Sequence, residues 1–216
     1  MYKILLGFIG IGLLTLFGFG TSSSVKIGEQ EWMRENLNLD YFQNGDIIQE
    51  AKTAEEWRKA GNNKEPAWCY YDNNSLNDEK YGKLYNFYAL IDPRGLAPNG
   101  WHVPTDAEWT VLTDYLGANG HKGREGDALK SKSGWEDFEA QSGNGTDTYG
   151  WLGLPGGFRG HDGYFDYVGN NGTFWSSSQH DTDDAWSRGL GNYDDAVFRG
   201  YDNDKNYGFS VRCLRD

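Results

Sequence analysis

Two cysteines and five prolines are all that 216 residues contain of either. Two thiols are too few for a disulfide-stapled miniprotein or a four-thiolate zinc site. Basic residues are scarce as well: 20 Lys and Arg stand against 32 Asp and Glu, a formal net charge of -12. Phosphate contacts need clusters of Lys and Arg, so nucleic acid is not an expected partner. Glycine and rings are abundant instead, with 30 Gly, 9 Trp, 14 Tyr and 11 Phe. A disordered chain of this charge would be poor in aromatics, and roughly 200 residues suit one domain with a real core.

Lys3 precedes an apolar run over residues 4–17, which ends in Gly18-Phe19-Gly20 before Thr21. Residues 1–20 read as a secretory signal peptide, with an uncleaved anchor as the alternative. Either way, residues 21–216 are expected to form a single exported domain, periplasmic, cell-surface or extracellular. It would meet a membrane only through an uncleaved N-terminal segment. In an oxidising compartment Cys69 and Cys213 read as a disulfide pair; two buried reduced thiols are the alternative.

Helix signals come early. Thr53-Ala54-Glu55-Glu56 is a capping box ahead of Trp57, with a stop at Gly61. Tyr81, Leu84, Tyr85 and Tyr88 fall at helical spacing, which predicts a helix over 81–90 ending before Pro93. Thr105-Asp106-Ala107-Glu108 is a second capping box, followed by the stripe Trp109, Leu112, Leu116 and by Gly117 as a left-handed stop. Residues 25–27, 30–39 and 67–71 read as strands. Strands dominate later, with Asp162-Gly163 and Asn170-Asn171-Gly172 as hairpin signals and β runs over 173–178, 185–190, 196–201 and 208–214. Early helices and late strands describe an α+β domain.

Three stretches together carry a family resemblance. The first is Gly28-Glu29-Gln30-Glu31-Trp32-Met33-Arg34-Glu35-Asn36-Leu37. The second runs from Tyr81-Gly82-Lys83-Leu84-Tyr85 through Gly100-Trp101-His102-Val103-Pro104-Thr105-Asp106-Ala107-Glu108-Trp109. The third joins Phe174-Trp175-Ser176-Ser177 to Gly208-Phe209-Ser210-Val211-Arg212-Cys213-Leu214. In this order they resemble the Fibrobacter succinogenes major paralogous domain, a family of secreted bacterial proteins, over residues 25–216. The resemblance implies a C-type-lectin-like fold: two main helices packed on small twisted antiparallel sheets, long loops, and adjacent first and last strands. Adjacent end strands would join Cys69 to Cys213 only if Cys69 lies on or beside the initial strand. Formylglycine-generating enzymes and the variable proteins of diversity-generating retroelements show a fainter likeness. The family brings no catalytic residues to transfer, and a fold alone does not assign an activity.

The residues favour binding over catalysis. Alternation in 185–190 and 196–201 puts one set of side chains in the core and offers the other outward. Residues 179–207 hold seven Asp, three Tyr and three Asn, the residue types of adaptable recognition surfaces. Trp186, Arg188, Tyr193, Arg199, Tyr201, Asp202 and Asn203 are the candidate ligand contacts, with Trp186 and Arg188 alternatively facing the core. The expected partner is a glycan or a protein surface. A structural subunit of a cell-surface appendage and a formylglycine-generating-type oxidase are the alternatives. No cofactor is expected. Calcium stays an alternative, because Asp202, Asp204 and Asn206 have alternating spacing, although Tyr207 stands where an EF-hand requires Gly. His102 reads as a packed or capped histidine, and Ser176-Ser177-Ser178 is no nucleophile elbow.

Overall fold

The computed structural model describes residues 23–216; the leader reading of residues 1–20 lies outside them. The first half contains β1 (Ser24–Ile27), β2 (Gln30–Met33), β3 (Gln49–Glu50), α1 (Ala54–Asn62), β4 (Ala67–Cys69), α2 (Asp78–Tyr81), β5 (Leu84–Tyr85), α3 (Phe87–Leu90), β6 (Trp101–His102) and α4 (Asp106–Leu116). The second half adds α5 (Glu125–Leu129), β7 (Gly156–Arg159), β8 (Phe165–Val168), β9 (Asn171–Gln179), β10 (Asp184–Gly191), β11 (Asp194–Asp204) and β12 (Leu214–Arg215). The chain is an α+β protein.

Among the described residues three sheets form, in the orders β1-β2-β12-β6, β11-β10-β9-β7-β8 and β3-β4-β5. Pairing is mainly antiparallel, with parallel contacts between β3 and β4 and between β7 and β9. The last strand lies beside the first hairpin, because Leu214 of β12 pairs with Trp32 of β2. In β9 two neighbours face opposite ways, as the strand period of two requires. Trp175 enters one core with Phe87, Phe209 and Val211, and Phe174 enters another with Trp32, Trp109 and Trp151. The second core is ring on ring, with Trp32 and Trp109 centroids 4.7 Å apart and Trp151 and Phe174 5.1 Å apart. Such tilted contacts add about 0.5–1.5 kcal/mol each beyond the area they bury.

Both capping boxes form. Thr53 and Glu56 close α1, and Thr105 and Glu108 close α4, each side chain accepting from the other's backbone N–H. The stop after α4 comes later than expected. Gly117 stays right-handed at φ -60, and Gly120, at φ +95, supplies the left-handed residue. The helix expected over 81–90 is corrected: α2 ends at Tyr81, and helix resumes only at Phe87–Leu90. Gly82 sits at φ +68, where a Cβ would approach Leu37 O to 2.9 Å, and Leu84–Tyr85 is recruited as a strand beside β4. Tertiary pairing overrides a short helical period. The Asp162-Gly163 hairpin joins β7 to β8, but the turn at Asn170 does not pair β8 with β9; β9 lies parallel to β7 instead.

The three resemblance-bearing stretches are linked through Arg212, which is fully buried, and its partner Asn36. Its Nε and Nη2 donate to Asn36 Oδ1, and its Nη1 donates to the carbonyls of Met33 and Trp151. The guanidinium lies 4.1 Å from the Trp151 ring centroid. Asn36 in turn donates to Tyr81 O, and Phe209 and Tyr85 exchange backbone hydrogen bonds. Burial lowers the Arg212 guanidinium to about 9, which leaves it charged at neutral pH.

Candidate functional site

The late strands build an outward platform. β11 is the edge of its sheet and pairs with β10 in the register Arg188↔Arg199, Ser187↔Gly200 and Gly189↔Phe198. Two arginines opposite each other repel unless something bridges them. Asp106, the first residue of α4, does so: its Oδ1 lies 2.7 Å from Arg188 Nη1, and its Oδ2 lies 2.6 Å from Arg199 Nη2. Burial pushes the Asp106 carboxyl up, and the hydrogen bonds and charges of the two arginines more than reverse this, leaving it below its ordinary value. Arg188 is buried, and burial lowers its guanidinium despite Asp106.

Arg199 is half exposed, and its guanidinium stacks 3.7 Å from the Trp186 ring centroid. Trp186 also meets the His180 ring edge-on at 5.0 Å, and Tyr201 closes the group at 5.4 Å from His180 and 5.9 Å from Trp186. Tyr201 remains 53% exposed, which leaves ring surface for another molecule. A cation stacked on a ring is worth about 0.5–1 kcal/mol at an exposed site, so Arg199 also fixes the Trp186 plane.

The loop beneath this group is held from inside. Lys205 is buried, and its Nζ donates to Gln179 Oε1 at 2.9 Å, to Asp181 O at 2.7 Å and to Thr182 O at 2.6 Å. Asp181 Oδ1 accepts the backbone N–H groups of Asp183 and Asp184. The Asp184 carboxyl is raised by desolvation and by the charges of Asp181, Asp204, Asp183 and Asp202. Arg188, Arg199 and Lys205 are thus engaged internally, and the outward charge of this region is negative.

The candidate contacts divide between two faces. Trp186, Arg188, Arg199 and Tyr201 share one, where Arg188 is enclosed and the other three reach the surface. On the reverse, Asn203 turns inward to donate to Ser187 Oγ at 3.1 Å, and Phe198 covers Gly189. Tyr193 is 61% exposed and packs on Phe138 at 6.0 Å, and Asp202 is exposed. His180 and Phe198 add to the surface, Asp106 and the buried Lys205 support it from beneath, and none of the four is among the expected contacts. Asp106 reads locally as a first-turn acid, and no signal in the chain order ties it to residues 188 and 199.

The disulfide expectation is corrected. Both cysteines are free and buried; Cys69 lies in β4 of the three-stranded sheet, while Cys213 precedes β12 of the four-stranded sheet. Cys69 is not beside the initial strand, so adjacent end strands do not join the two. Desolvation pushes each thiol up to about 12, the opposite of a reactive thiolate. His102 is held between Asp216, 2.8 Å from Nδ1, and Glu108, 3.0 Å from Nε2. Among the described residues no group of three or more His, Cys, Asp or Glu is placed to hold a metal ion, and Asp204 Oδ1 is used by the backbone N–H of Asn206.

One family model, described as the Fibrobacter succinogenes major domain, matches residues 25–215. No curated protein matches the chain, and no solved structure does.

Proposed function

Since the chain belongs to the Fibrobacter succinogenes major domain family, whose name assigns no activity, we propose that it is an exported or surface-associated binding module. Its recognition surface is the β10–β11 hairpin with the 180–184 loop, and its ligand is a glycan or a protein surface. The observation that carries this reading is the exposed Tyr201 ring beside the Arg199–Trp186 stack, held in place by Asp106. Rings fixed before binding give contact area at low entropic cost. The lectin-like reading of the fold belongs to the same proposal, and the pairing of β12 with β2 supports it. Two buried thiols in different sheets offer no support to a cysteine-based oxidase.

A screen of the full chain against immobilised glycans and cell-surface proteins tests the reading. A ligand found this way should bind Tyr201→Ala and Arg199→Ala at least about tenfold more weakly, a loss of about 1.4 kcal/mol, with melting temperature nearly unchanged. Equal binding by both folded variants would move recognition elsewhere. A loss of binding in EDTA would restore calcium as a cofactor.

A further inference from the structure

A cleft of about 420 Å³, lined by no residue of the β10–β11 hairpin, opens between residues 34–38, residues 78–82 and the loop 150–154. Its volume falls within the range of about 300–1,000 Å³ typical of small-ligand sites. Arg34 and Lys80 bring positive charge to its wall, and Glu35, Asp78 and Glu79 bring negative charge; Leu152 and Leu154 supply apolar surface. A ligand of one sign would meet repulsion as well as attraction here. A neutral apolar ligand would desolvate charged groups without answering them, and a neutral polar one would return hydrogen bonds but no counter-charge.

The walls are held in position before any ligand arrives. Leu152 adopts φ 56, a left-handed conformation unfavourable for a bulky side chain. Its N–H donates to Asp147 Oδ1 at 2.9 Å, and its carbonyl accepts from Arg212. Arg34 Nε donates to Gly150 O at 2.8 Å, leaving the rest of that guanidinium beside the cleft. Opposite, Asn38 Oδ1 accepts from the buried Lys83, whose Nζ also lies 3.8 Å from Asp78 Oδ1. Local strain that the surroundings over-determine is a feature of ligand clamps. Here three separate anchors, Asp147, Arg212 and Arg34, fix one short loop.

We propose that this cleft binds a small zwitterion, a free amino acid or a dipeptide. Both walls carry both signs, so the ammonium group is taken by the carboxylates of Asp78, Glu79 and Glu35, the carboxylate by Arg34 and Lys80, and a short side chain rests on Leu152 and Leu154. The site is separate from the β10–β11 platform, and neither depends on the other.

The test is titration calorimetry of the full chain with L-alanine and with L-alanyl-L-alanine, which separates the two sizes of zwitterion. N-acetylalanine, which has no ammonium group, alaninamide, which has no carboxylate, and glucose are the comparison ligands. Saturable binding by at least one zwitterion is expected, with each singly charged analogue weaker by about tenfold or more and glucose silent. Lys80→Ala, at an exposed position, should weaken zwitterion binding with no change in melting temperature. Leu152→Gly relieves the left-handed strain, so it should fold and still bind less well, while Tyr201→Ala should bind the zwitterion normally. No saturable heat from either zwitterion, equal affinity for the capped analogues, or full affinity in both Lys80→Ala and Leu152→Gly would overturn the proposal.

Discussion

Arg212 donates to the side-chain oxygen of Asn36 from two nitrogens, at 3.1 and 2.7 Å, across a separation of 176 positions. The pair ties the end of the domain to its beginning, and no carboxylate shares the task. Hydrogen bonds from a charged group are worth about 1.5–3 kcal/mol net, and this guanidinium also stacks on Trp151.

Replacing Arg212 should therefore be among the most damaging single changes. Arg212→Ala strands Asn36 Oδ1 and the carbonyls of Met33, Trp151 and Leu152, with an expected loss of about 3–5 kcal/mol, since each buried acceptor left unpaired costs about 1–3 kcal/mol. Arg212→Lys cannot reproduce the fork and should recover only part of this. Urea unfolding of the two variants checks the order.

Asp106 and Arg199 should separate stability from recognition. Asp106→Asn leaves the buried Arg188 without its counter-charge, and about 3–5 kcal/mol of stability should be lost. Arg199 is half exposed, so Arg199→Ala should cost only about 0–1 kcal/mol while loosening the Trp186 ring. Denaturation curves, with Trp fluorescence as a second readout, distinguish the two effects.

His102 makes stability depend on pH near neutrality. Burial lowers its imidazolium, and the hydrogen bonds and charges of Asp216 and Glu108 outweigh that, so the folded pKa lies above 6.5. A group raised on folding stabilises fully below its unfolded value and loses that contribution as pH rises through the folded value. Stability should accordingly fall as pH is taken upward from about 6.5, and His102→Gln should flatten that limb. An unchanged slope in the variant would assign the effect to another group.

The two thiols should behave independently. Reductant should leave the melting temperature unchanged, and a thiol reagent should label Cys69 and Cys213 only on unfolding, because both are buried and raised to about 12. A two-dalton mass deficit in unreduced protein would instead indicate a bond between them.

What the sequence made legible was mostly local. A Thr and a Glu three residues apart satisfy each other's backbone wherever the chain goes, so the boxes at Thr53 and Thr105 form as read. The helix over 81–90 failed because Gly82 must pass close to Leu37 and Tyr85 must pair with Phe209, and neither contact is visible in a ten-residue window. The alternation in β10 indicated that Trp186 and Arg188 share a face, but not whether that face is open. The answer depends on Asp106, 82 positions before Arg188. Long-range partners also decide the thiols: being even in number says nothing of which sheet each cysteine joins.

None of the three hydrophobic clusters among the described residues includes the outer rings and carboxylate at positions 198, 201 and 202, whereas Arg212 and Asn36 lock the frame from within. The labour is divided along the chain. Under the proposed binding role, side chains at those outer positions can change without removing a contact of any of these hydrophobic clusters or of the Arg212–Asn36 pair.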